Sequence, residues 1–142
     1  LHQRVWHKKH HRRDPMTVII CPWPTKALWP NGRPNRFVKS REIKAYRRAC
    51  NILAKCEGVH RMDWADGKMP VHLTFHPKTK REPDDDNLEA AFKAGRDGIA
   101  EAMGVDDARF RVTRSTGVPV KGGRVVVEIR ALVNVDVIGE IT

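Results

Sequence analysis

Negative charge is scarce in this chain. Asp and Glu number 17 against 27 Lys and Arg, a formal net charge of +10 at pH 7 over 142 residues, which favours a polyanionic partner: DNA, RNA or an anionic membrane. Long apolar runs are missing as well. None approaches the roughly 20 residues needed to span a bilayer, and no charged segment leads into an apolar core and a small-residue cleavage site. The expectation is a cytoplasmic protein with no membrane partner. Cysteine is limited to Cys21, Cys50 and Cys56, odd in number and without C-x-x-C spacing, so neither a disulfide framework nor a thiolate zinc or redox site is indicated, and ordinary reduced thiols are expected. There is no internal repeat. The 40% of hydrophobic residues suffices for a single modest core that a dimer interface can extend, and the chain reads as one small domain plus a tail.

Residues 1–15 form that tail. Leu1 to Asp14 lacks apolar periodicity and is dense in Arg, Lys and His, the composition of a disordered or loosely attached arm. Met16 is a candidate natural start; on that reading His7, His10 and His11 are no metal site. The alternative is a basic arm that tracks phosphates. The domain then runs from 16 to 142. Thr17 to Cys21 is a β-branched strand stopped by Pro22-Trp23-Pro24, and Thr25 to Lys39 is a basic loop punctuated by Pro30, Asn31, Gly32, Pro34 and Asn35. Ser40 is placed to cap a helix from Arg41 to Cys56, with Ile43, Tyr46, Ile52 and Leu53 as its apolar stripe and Gly58 as its end. Val71 to His76 alternates apolar and polar residues, so Val71, Leu73 and Phe75 face the core, and His72 and His76 face away through alternation alone. Leu88, Ala91, Phe92, Ile99 and Met103 recur at helical spacing up to a stop at Gly104. Strands follow over Arg109–Arg114 and Arg124–Val133. The order β-α-β-α-β-β predicts an α+β (mixed α/β) fold: one mixed sheet with two main helices packed on it.

Against this basic background, two acidic clusters bracket the second helix: Asp84-Asp85-Asp86-Asn87 and Asp106-Asp107. Carboxylates packed this closely repel one another unless a cation sits among them, and a basic chain holding a metal points to phosphodiester chemistry. In an extended segment Asp84 and Asp86 share a face and can reach one ion. Magnesium suits such hard oxygen ligands and keeps waters that can be activated, and manganese should substitute. The plainer reading competes. Asp86 with Glu89 is a possible capping box, an acidic first turn complements the helix dipole, and Asp106-Asp107 can be turn residues before a strand. These account for Asp86 but leave Asp84 unexplained.

Several segments in order carry a more specific signal: Pro22-Trp23-Pro24, Pro30-Asn31-Gly32-Arg33, Lys44-Ala45-Tyr46-Arg47, Asp84-x-Asp86-Asn87-Leu88, Val105-Asp106-Asp107 and Pro119-Val120-Lys121-Gly122-Gly123-Arg124. Over about residues 17 to 130 the chain resembles the RusA-type Holliday-junction resolvases. The resemblance implies a magnesium-dependent homodimeric endodeoxyribonuclease acting on branched DNA, without an organic cofactor and in a prophage recombination or replication setting. Asp84, Asp86 and Asp107 would be its metal-binding catalytic carboxylates, with Asp106 beside them. The family commonly carries a catalytic lysine four residues after the second aspartate, where this chain has Ala90; Lys93, one turn on and roughly 60° around the helix, is the candidate replacement, set against an ordinary solvated lysine. Backbone contacts to the junction would come from Arg33, Arg36, Lys39, Arg109, Arg111, Lys121 and Arg124. A straight helix from Asn87 to Met103 spans about 25 Å, too far for Asp86 and Asp107 of one chain to share an ion. Either a break near Gly95 and Gly98 or an active site shared between two subunits should close that gap, with the shared site favoured. A different metal-dependent nuclease, cutting flaps, duplex DNA or RNA, or a non-catalytic nucleic-acid-binding module are the rival readings.

Overall fold

The computed structural model describes residues 4–12, 16–80 and 85–141, with side chains over 16–80 and 87–135. Its elements are β1 (Arg4–Arg12), β2 (Thr17–Pro22), α1 (Arg36–Cys56), β3 (Met69–His76), α2 (Asp85–Met103), β4 (Phe110–Thr116), β5 (Arg124–Ile129) and β6 (Val133–Ile141), with short 3-10 turns at Lys26–Leu28, Val59–Arg61 and Asp107–Arg109. A four-stranded sheet in the order β2-β5-β3-β4 carries the fold, β5 running antiparallel to both β2 and β3, and β3 parallel to β4. The parallel pair is closed by α2 as a crossover helix, the connection such a pair requires. This is the mixed α+β architecture that the sequence pattern predicts, with two main helices on one face of a mixed sheet.

Two differences lie at the chain's ends. The basic arm expected to be disordered contributes a strand: β1 pairs antiparallel with β6, Arg4 opposite Ile141 through Arg12 opposite Val133, as a separate two-stranded ribbon. Arg and His density hid it, because a ribbon with a ready partner needs no apolar alternation of its own. The remainder of the arm lies outside the described residues. The strand expected over Arg124–Val133 is two strands, β5 ending at Ile129 and β6 starting at Val133, with Arg130 N–H turned to the Pro70 carbonyl and Ala65 N–H to that of Leu132 between them.

The helices sit where side-chain chemistry sets them. α1 starts one turn earlier than expected, because Asn35 rather than Ser40 is the cap: its side chain accepts from Val38 N–H at 2.9 Å. Of the expected stripe, Tyr46 is buried beside Cys50 and Ala54 and Leu53 packs against the core, whereas Ile43 and Ile52 are exposed. In α2, Leu88, Phe92 and Ile99 are buried as expected. Gly95 and Gly98 do not break it, since α2 is continuous from Asp85 to Met103. They are contact points. A Cβ on Gly98 would lie 2.2 Å from the Arg47 carbonyl oxygen of α1, and Asn51 Nδ2 donates to the Gly98 carbonyl at 3.1 Å, so backbone meets backbone where the helices cross.

A chain of aromatic rings fixes the basic loop to this core. Trp29 packs on Trp23 (5.5 Å between centroids), Trp23 edge-on to Phe75 (6.3 Å), Phe75 to Phe92 (6.2 Å) and Phe92 to Tyr46 (6.0 Å), in the tilted and T-shaped arrangements that aromatic quadrupoles prefer. Trp29 Nε1 donates to the Pro24 carbonyl at 3.1 Å and Tyr46 Oη to that of Pro22 at 2.5 Å. Cys21, Cys50 and Cys56 are free thiols, as expected. Cys21 and Cys50 are buried beside Tyr46; the hydrogen bond to Cys50 and then burial push the Cys21 thiol far up, and burial first does the same for the Tyr46 phenol, so both stay protonated and inert. Among the described residues no helix is long and apolar enough to cross a membrane.

Candidate functional site

The end of α2 decides where the second acidic cluster goes. Gly104 takes a left-handed φ of 74°, its N–H bonds the Glu101 carbonyl at 3.1 Å, and Val105 N–H bonds that of Ala100 at 3.0 Å. This paired closure is the Schellman motif, which reverses the chain sharply at a helix C-terminus. Asp106 then caps the next short turn, accepting from Ala108 N–H at 2.9 Å. One Asp106 oxygen is thus a turn acceptor, the plainer role foreseen for it. The reversal carries Asp107 back along α2.

There it meets Lys93. Lys93 Nζ lies 2.5 Å from Asp107 Oδ2 and 2.9 Å from Asp97 Oδ1, and Arg96 reaches Asp107 Oδ2 at 3.6 Å. The hydrogen bond from Lys93 holds the Asp107 carboxyl below the usual aspartate range, with Arg96 adding to it, and bonds to Asp107 and then Asp97 hold the Lys93 ammonium above its ordinary value. Arg96 Nε is buried and has no acceptor among the described residues, a donor left open at a cost of about 1–3 kcal/mol. One turn along, Arg47 of α1 pairs with Glu101 of α2 at 2.9 Å. Lys93, Asp97 and Glu101 therefore form an i, i+4, i+8 ladder along one face of α2. Together with Arg47, Asp106 and Asp107 it lines a polar groove of about 420 Å³.

Of the two routes expected to close the distance between the acidic clusters, the helix break is absent, since α2 is continuous. The return of Asp107 to the Lys93 ammonium shortens the gap, yet Lys93 is itself about 10 Å along the axis from Asp86, still too far for the two carboxylates of one chain to share an ion. The site shared between two subunits therefore stands as an expectation. Asp84 lies outside the described residues, and Asp86 is placed only by its backbone in the first turn of α2. One Glu89 oxygen pairs with Arg114 of β4; the capping box expected between Asp86 and Glu89 involves an Asp86 side chain that lies outside the described ones.

The cations expected to meet DNA do not share one surface. Arg33, Arg36 and Lys39 are exposed on the loop and first turn of α1, Arg33 with a positive φ of 43° and Arg36 stacked 5.0 Å over the Phe37 ring. Arg111 and Arg124 project from the sheet face opposite the helices, since their strand neighbours Phe110 and Val125 point into the core. Lys121 is exposed in the β4–β5 turn. Arg109 is spent internally, donating to the carbonyls of Gly67 at 3.0 Å and Ala65 at 2.6 Å. His72 bonds Thr113 and Ser115, and His76 the Val118 carbonyl, so both are strand-face residues satisfied locally.

Sequence reasoning missed Asp97, Arg96, Arg47 and Glu101. The i+4 spacing from Lys93 to Asp97 to Glu101 was a readable signal; the Arg47 and Arg96 contacts depend on tertiary packing. Among the described residues no three acidic, His or Cys side chains are grouped to hold a metal ion. Asp97 and Asp107 nevertheless offer hard oxygens that already converge on one cation, the Lys93 ammonium. Two carboxylates are short of a ligand set for a divalent ion, and Asp84 and the Asp86 side chain, which the resemblance adds to them, lie outside what the structure describes.

No family model matches the sequence. A protein of Xylella fastidiosa, described only as uncharacterized, is 38% identical over 96 residues, covering 67% of this chain; the match spans 63% of that relative's length. A search of solved structures finds the bifunctional IspDF of Campylobacter jejuni at a TM-score of 0.38 and 10% identity, over 95% of this chain and 44% of that one, a likeness too slight to bear on fold or function.

Proposed function

We propose that this chain is a metal-dependent, structure-selective endodeoxyribonuclease of the RusA type, a homodimer that resolves four-way DNA junctions by paired symmetric nicks. The observation that carries the reading is the return of Asp107 to Lys93 and Asp97. An acidic residue singled out from its motif is delivered, by a glycine-closed helix end, to a groove flanked by cations in a chain of net charge +10.

Asp84, Asp86 and Asp107 would hold the ion, with Asp97 and the second oxygen of Asp106 at its margin. The chemistry that magnesium would supply there is activation of a water and neutralisation of charge on the scissile phosphate. The protein's own groups do the rest. Lys93 sets its ammonium at the carboxylates, where it can move to a phosphate oxygen as negative charge develops there. Arg96, whose Nη2 faces Asp107, adds its positive charge there. Arg33, Arg36 and Lys39 bind the flanking backbone, which conveys shape and charge rather than sequence.

Incubating a labelled immobile four-way junction and a matched duplex with magnesium, with chelator, and with Asp84→Asn or Asp107→Asn tests this. Magnesium-dependent symmetric nicks confined to the junction and lost in both variants are expected. Equal cutting of the duplex would point to another nuclease class; tight binding without nicks under any metal would leave a binding module and overturn the proposal.

A further inference from the structure

Beside the carboxylate groove lies a second cavity of about 360 Å³, between the Lys26–Leu28 turn, the start of α1 and the middle of α2. This is the size range of small-ligand sites. Leu28, Pro30, Ile43 and Ala90 give it apolar walls, and Lys39, Lys93 and Asp97 are its polar groups. Lys93 and Asp97 also line the carboxylate groove. The pair is thus a partition, with apolar surface on one side and Asp107 on the other.

We infer that this cavity receives the base of one unpaired nucleotide, whose phosphate lies over the Lys93–Asp97 partition toward Asp107. The inference rests on the nuclease reading and names what would give that site its structure selectivity. The occupant must combine an apolar body, hydrogen-bonding edges and an attached anion. An unstacked nucleotide does so: its base faces are apolar, its edge can meet the Asp97 carboxylate, and its phosphate suits Lys39 and Lys93. The cavity is preformed, since the Trp23–Trp29 pair and the Trp29 bond to the Pro24 carbonyl hold the loop that presents Pro30. Ala90 keeps it open, because a longer side chain at that exposed helix position would project into it. A stacked, paired base cannot enter. Extrusion costs least where bases are already unpaired or strained, so the cavity favours branch points over duplex in a way that backbone charge alone does not.

The test is a scan of single abasic substitutions across the branch point of a four-way junction, with binding measured in chelator for wild type and Ala90→Leu. One position should weaken wild-type binding about tenfold, the scale of losing one held base, and 2-aminopurine placed there should brighten as it leaves the stack. In Ala90→Leu, whose unchanged melting temperature would show that it folds, that position dependence should vanish. A flat wild-type scan, or a scan unaltered by Ala90→Leu, overturns the inference. Nicking of the same junction in magnesium separates the two claims: nicks with a flat scan keep the nuclease and remove the base site, whereas a positional effect without nicks keeps the base site and removes the nuclease.

Discussion

Lys93 connects the sequence to the site. It is about one-sixth of a turn out of phase with the position at which the family resemblance expects a lysine, and its ammonium ends on Asp107 because Gly104 turns the chain back. Replacing it with alanine should lower junction nicking by about 10²–10³, the scale of removing one preorganised charge donor, while junction affinity changes by only a few-fold. Lys93→Arg, which keeps a cation on the same stem, should retain part of the rate; single-turnover assays of wild type and the two variants decide. The same contact sets a titration. Asp107 is held below the ordinary aspartate range, so its share of the ion pair is present at neutral pH and is lost as pH falls through that depressed value. The raised Lys93 keeps its own share until pH climbs past the usual lysine range. Lys93→Met should therefore move the Asp107 carboxyl midpoint upward, read by carbon NMR. Global stability should change by under about 1 kcal/mol, because a half-exposed pair is largely screened by water.

At the level of elements, the α1–α2 crossing is the most exacting contact. Gly98→Ala would gain roughly 1 kcal/mol of helix propensity, but the added carbon would collide with the Arg47 carbonyl, and overpacking of this kind costs about 1–3 kcal/mol. Net destabilisation in urea is the expected sign; a stabilised variant would show that the helices separate freely. Asn35→Ala should cost about 1 kcal/mol through the lost cap on α1, whereas Ser40→Ala, inside the helix, should cost almost nothing. That pair of positions also shows where sequence reading stops. Ser40 and Asn35 are both acceptable caps by residue type, and only the bond from Val38 N–H to the Asn35 side chain separates them. Ile43 and Ile52 looked like core by periodicity together with Tyr46, but from Tyr46 the buried stripe continues through the small Cys50 and Ala54, chosen by the near approach of α2. Alternation in β3 was fully legible, since a strand covered on one face leaves no other way to arrange Val71, Leu73 and Phe75.

For the molecule as a whole, the fold class and the order from β2 to β5 could be read from the chain, and β1, the division of β5 from β6 and the placement of Asp107 could not. Its position depends on a reversal after α2 that residue spacing, taken as a straight rod, misjudges. The spread of cations over two faces has a measurable counterpart. If Arg33, Arg36 and Lys39 are the ones that meet DNA, Lys39→Ala should reduce the magnitude of the log K against log salt slope by about 1, and Arg111→Ala, on the far side of the sheet, should leave it unchanged. Strand order carries a further consequence for how the protein comes into being. β5 lies between β2 and β3, with Pro22 opposite Arg124 and Phe75 opposite Val125, so the sheet's second strand by position is nearly its last by synthesis. At about 5–20 residues per second a ribosome takes on the order of ten seconds to travel from one to the other. Throughout that interval Thr17–Pro22, with its run of Val18, Ile19 and Ile20, has a bare edge that a neighbouring nascent chain could occupy.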